Sequence, residues 1–149
     1  MLESWSELYS NSAVWRSAVL YAHVAGILVG GGTAIATDRL TLITSKDDAP
    51  QLRIIAGVHR LVVMSIGVIA VSGMLMLAAN LETYLVSKVF WTKMLLVAFL
   101  LMNGLRLLRA EQAARAGEPS GWGRLRGASI TSLVLWLAIA LFGAVLPNV

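Results

Sequence analysis

The sequence of 149 residues contains no cysteine. That one absence removes disulfides, thiolate metal sites and iron–sulfur ligation together. Charge is nearly as scarce: 13% of residues are Asp, Glu, Lys or Arg, against about 25% in an ordinary soluble domain. Only two histidines are present, so any nitrogen ligation rests on His23 and His59. No phosphate-binding glycine loop, nucleophile–base arrangement or internal repeat occurs. A water-soluble reaction centre has nowhere to be built.

What the chain has in excess is apolar surface. Hydrophobic residues make up 58% of it, with a mean hydropathy of +0.76, too much for a buried core alone. The sequence therefore predicts an all-α membrane protein, a four-helix antiparallel bundle forming one transmembrane domain over residues 1–149. Its spans fall at about 14–38, 52–80, 89–109 and 127–147. Residues 17–37, 61–81 and 127–149 carry no charge. The third span includes Lys93 and Arg106 near its two ends, where both can snorkel. Residues 106–116 prolong that helix, with Glu111 and Arg115 spaced to pair, until the Gly117-Glu118-Pro119-Ser120-Gly121 stretch stops it.

Charge placement predicts topology. A formal net charge of +4 could suggest nucleic acid, but in a membrane protein the distribution matters more, and no nucleic-acid partner is expected. Arg39, Lys46 and Arg53 lie between spans one and two; Arg109, Arg115, Arg124 and Arg126 lie between three and four. The positive-inside rule puts both loops in the cytoplasm and both termini outside, in a multi-pass protein of a bacterial inner membrane. The first sixteen residues carry Glu3 and Glu7 where a signal peptide would be basic, so a retained N-terminus is expected, its Trp5, Tyr9 and Trp15 suited to the interface.

The residues able to carry chemistry are few. His23, Gly26, Gly30, Thr33 and Thr37 share one helical stripe, so the first span offers an imidazole with a glycine flank. Gly26 and Gly30 either admit a guest or pack a neighbouring helix through their GxxxG spacing. His23 is either a ligand or a neutral ring bonded to another helix. His59-Arg60 suits haem, imidazole to iron and guanidinium to propionate. It equally suits an interfacial pair in which Arg60 holds Asp38 or a lipid phosphate. The two histidines differ by roughly 10 Å in height on this count, a gap that helix tilt would have to close. Met64, Met74, Met76, Met94 and Met102 are soft ligands for Cu(I) or simple packing. Lys93 is a snorkelling anchor or a functional cation. Asn103 and Arg106 read as an interfacial cap, with Arg106 a second candidate for a propionate.

One pattern runs through these residues: a histidine followed by glycines on span one, Ser72-Gly73 late on span two, then Tyr84 and Lys93-Met94-Leu95-Leu96 opening span three, which closes on Asn103-Gly104-Leu105-Arg106. Over residues 21–109 it resembles the small membrane domain of the CopD-like family, linked to copper resistance and uptake. It is also similar to the HemJ-type protoporphyrinogen oxidases, which place a histidine on the first span and a Trp-x-x-Lys-like start on a later one. The first resemblance implies copper handling, the second haem b. The residues matching are His23, Arg60 and Lys93. Two departures stand out: His59-Arg60-Leu61 replaces a Met-Arg-Pro-like motif, and Asn103 stands where a late histidine belongs. Porphyrinogen oxidation is therefore not carried over.

The expectation is a small b-type haem protein for electron transfer, or the haem-carrying subunit of a larger redox complex. His23 and His59 would ligate the iron, Arg60 would meet a propionate, and Gly26 and Gly30 would give room. The alternatives are a CopD-like copper handler using His23 and methionines, and a non-catalytic structural or assembly subunit. Its partners would be the bilayer and a second copy or a larger membrane redox complex.

Overall fold

A computed structural model describes residues 2–45 and 49–145; of residues 2, 3, 49–56 and 59 it describes the backbone alone. The elements are α1 (Leu2–Asn11), α2 (Ala13–Gly26), a π-helical segment (Ile27–Gly31), α3 (Gly32–Ile43), α4 (Ala49–Ala79), α5 (Leu81–Leu85), α6 (Lys88–Arg115) and α7 (Gly121–Val145). No strand occurs among the described residues. Four helices are long and apolar enough to cross a membrane: the continuous α2–π–α3 rod over Ala13–Ile43, Arg60–Ala79 of α4, α6 and α7. Their outward faces carry Leu28, Met64, Leu95 and Leu137, all exposed, as lipid contact requires.

Local chemistry sets the ends. Ser12 and Ser87 cap α2 and α6, their hydroxyl oxygens accepting from the N–H groups of Trp15 and Phe90 and satisfying donors the first turn leaves orphaned. At the other end of α6, Gly117 adopts φ +76°, where a side chain would be strained. The Glu118 and Gly117 N–H groups then reach back to the carbonyls of Ala113 and Ala114 at 3.0 and 3.2 Å, a Schellman stop. Gly121 completes the corner: a β-carbon there would lie 2.5 Å from the Ala114 nitrogen. The i,i+4 pair forms as the spacing predicts, with Arg115 Nη2 donating to Glu111 Oε1 at 2.6 Å.

The spans pack in a chain rather than a ring. α2 and the π segment lie on α4, α3 lies on α7, and α6 runs along α7, while α4 and α6 do not pack along one another. Ala34, Leu100, Trp136 and Ile139 form the core where α3, α6 and α7 meet, and Val62 and Ile69 reach it from α4. α1 folds onto the end of α4, Trp5 Nε1 donating to the Leu75 carbonyl and Ser6 Oγ to that of Ala79, both at 2.9 Å. At the opposite end Arg126 Nη2 donates to the Leu42 carbonyl at 3.0 Å, tying the start of α7 to the end of α3.

The π segment decides which side of the first span faces inward. Four glycines lie within residues 26–32, and without β-carbons the helix can widen there by one residue. Gly26, just before it, and Gly30, within it, face α4: β-carbons there would lie 2.8 Å from Ile69 Cγ1 and 2.5 Å from Ser65 Cβ. After it the phase has slipped. Gly31, Ala34, Asp38 and Thr41 are the buried positions, with Gly31 against the Trp136 ring. The stripe expected to continue through Thr33 and Thr37 instead runs through Ala34 and Asp38, because the wide turn consumes one extra residue.

Candidate functional site

Two polar layers occupy the bundle interior, one in each half. The first centres on His23. Its ring reaches across to α4, where His23 Nδ1 and Ser72 Oγ stand 3.0 Å apart. Ser72 directs its single hydroxyl proton at the carbonyls of Val68, 2.6 Å, and Ile69, 3.2 Å. The serine oxygen is therefore the acceptor and His23 Nδ1–H the donor, which leaves the lone pair of the neutral ring on Nε2. Histidines that bind metal are held in this way, one nitrogen fixed by a hydrogen bond and the other presented. Gly73 admits the ring: a β-carbon there would meet His23 Cε1 at 3.4 Å.

Lys93 belongs to the same layer. It is half-buried, with its Nζ 3.4 Å from where a β-carbon of Gly143 would stand. Lys93 stands near the start of α6 and beside Gly143 near the end of α7, a position open both to a snorkelling anchor and to a functional cation. Asn103 also turns inward: its Nδ2 donates to the Ala128 carbonyl at 2.8 Å within the α6–α7 interface, and so it is not an interfacial cap.

Other members of the expected site do not join this layer. The His59 side chain lies outside the described residues. Its backbone stands on α4, thirteen residues before Ser72, about 20 Å down the helix. That is twice the height gap counted from the sequence, and it keeps the two histidines from bracketing one iron. Arg60 is exposed on the same remote turn, and Arg106 is exposed on α6. The flank at Gly26 and Gly30 is filled by Ile69 and Ser65, so those glycines serve the approach of α4. Met64, Met74, Met94 and Met102 are 44–61% exposed and face outward, while Met76 packs with Tyr9, Val19 and Ala79.

Among the described residues no group of three or more His, Asp or Glu side chains could hold a metal ion. The donor set at His23 fits one axial bond to a haem iron and not two. Space beside it is apolar: a lateral groove of about 550 Å³ runs between α2 and α4 past Ala18, Ala22, Gly67 and Ser72. It flanks the chain neighbour and the hydrogen-bond partner of His23, and Trp15, Met64, Val68 and Leu75 give it apolar walls.

The second layer was hidden in the sequence by the phase slip. Asp38 is 4% exposed and faces the hydroxyls of Ser129 and Ser132 on α7. Asp38 Oδ2 and Ser129 Oγ have no hydrogen-bond partner. Glu111, buried beside its Arg115 partner, lines the same cavity as Asp38.

No family model matches the chain, and no curated protein or solved structure matches it either.

Proposed function

We propose that this is a small multi-pass protein of a bacterial inner membrane, both termini outside, that binds a single b-type haem through His23 and passes electrons. It acts alone or as the haem-carrying subunit of a larger membrane redox complex. The observation that supports the reading is the hydrogen bond between His23 Nδ1 and Ser72 Oγ, which holds a half-buried imidazole in the tautomer able to ligate through Nε2. A half-buried imidazole inside a membrane-spanning helix, hydrogen-bonded across to α4, is a candidate ligand by its position alone.

The chain's own residues divide the work. His23 would hold the haem iron through Nε2, Ser72 fixes the tautomer of that ring and raises its basicity, and Lys93 would be the cation available to an anionic substituent. His59 and Arg60 stand apart from this site and serve the basic end of the bundle. Haem, when bound, supplies a one-electron couple. The exposed methionines offer the copper reading no comparable support. The structural-subunit reading is favoured by one feature, the closed Gly26–Gly30 contact with α4.

The test is an absorption spectrum of the detergent-purified protein from haem-replete membranes, oxidised and then dithionite-reduced, with haem and copper quantified. A b-type spectrum at one haem per chain is expected. A colourless protein with stoichiometric copper, or one that carries neither and co-purifies with larger subunits, overturns the proposal.

A further inference from the structure

The second polar layer has a separate use. α4 and α6 diverge, and the cavity between them, about 230 Å³, is walled by Val62 and Ile66 on one side and by Leu101 and Gly104 on the other. Asp38 lines it from α3 together with Ser132 from α7. Asp38 is 4% exposed, with the Ser129 and Ser132 hydroxyls beside its carboxyl, and its Oδ2 makes no hydrogen bond of ordinary geometry. No lysine or arginine is among the groups acting on this carboxyl. Among the described residues the nearby basic side chains are engaged or turned away: Arg126 donates to the Leu42 carbonyl, Arg115 to Glu111, and Arg39 is exposed.

A buried carboxylate with an open oxygen and no counter-ion among the described residues is the complement of a cation. The walls that surround it are apolar, so the cation must bring an apolar body with it. An apolar cavity of about 150 Å³ holds a benzene ring; this one has room for a ring with a short amine tail. A hydrated metal ion would find the Asp38 carboxylate, the hydroxyls of Thr37 and Ser132, and a Glu111 already paired with Arg115, too few free oxygens to replace its water.

We infer that the cleft between α4 and α6 binds a small lipophilic ammonium ion, its charge on Asp38 Oδ2 and its apolar body between Val62, Ile66 and Gly104. The ligand enters sideways from the bilayer, where anionic headgroups concentrate such cations. Nothing in this site involves His23, so it stands or falls apart from haem.

Equilibrium dialysis of the detergent-purified full chain tests it, with phenethylammonium as the probe and phenethyl alcohol as its neutral counterpart. The ammonium ion should bind saturably, at least about tenfold tighter than the alcohol. Asp38→Asn should erase that preference while leaving alcohol binding in place. Gly104→Phe, at a position with open space around its α-carbon, should fill the cleft and remove both, which keeps the test decisive if Asp38→Asn fails to fold. Equal binding of the two probes, an Asp38→Asn protein that retains the preference, or undiminished binding in Gly104→Phe overturns the assignment.

Discussion

Gly30 lies against Ser65 so closely that a β-carbon on the glycine would stand 2.5 Å from Ser65 Cβ. Neither atom can swing away, so Gly30→Ala must push α4 off the first span. Overpacking of this kind costs about 1–3 kcal/mol, read as a lowered unfolding temperature in detergent. Ser65→Gly in the same chain should restore most of the loss. Gly32→Ala, where nothing lies within 4 Å, should be neutral or slightly stabilising. Equal losses at Gly30 and Gly32 would disprove the contact.

Ser72 carries the tautomer argument. Ser72→Ala removes the acceptor of the His23 Nδ1–H bond, and loss of such a partner lowers metal or haem affinity about 10–100-fold. Ser72→Thr keeps the hydroxyl and should recover most of it. Haem titration of the three apoproteins measures the effect, and identical affinities would remove Ser72 from the site.

The α6–α7 corner depends on the left-handed conformation of Gly117 at φ +76°. Gly117→Ala should destabilise the protein by about 1–2 kcal/mol. Gly123→Ala, with nothing within 4 Å of the added carbon, should not. Thermal unfolding of the two variants separates them.

Because the chain has no cysteine, single-cysteine labelling reads sidedness cleanly. Ser45 and Thr83 are both exposed, one at the end of α3 and one on α5. An impermeant maleimide should label Thr83→Cys in intact cells and Ser45→Cys only after the inner face is opened. The reverse pattern would invert the proposed topology.

Much of this was legible before any coordinates. Four apolar runs and their basic connections gave the helical spans, Glu111 and Arg115 their pairing, and Gly117 the end of α6, because each follows from short-range spacing. Asn103 reads as interfacial since a sequence shows depth along a helix and not the direction a side chain takes around it. From the sequence Asp38 reads only as a partner for Arg60, and its burial away from the exposed Arg60 is hidden for a sharper reason. The π segment inserts one residue into the helical phase, and a stripe counted at constant pitch from His23 lands on Thr37 instead. The run of glycines at residues 26–32 was the available signal, since such a run lets a helix widen.

The most direct measurement is the reduced-minus-oxidised spectrum of His23→Ala beside that of His59→Ala, each compared with the parent protein. The b-type band should vanish in His23→Ala and persist at full occupancy in His59→Ala, whose backbone stands about 20 Å from the site. Loss in both variants would restore a bis-histidine iron and contradict the helix register; retention in His23→Ala would contradict the site itself.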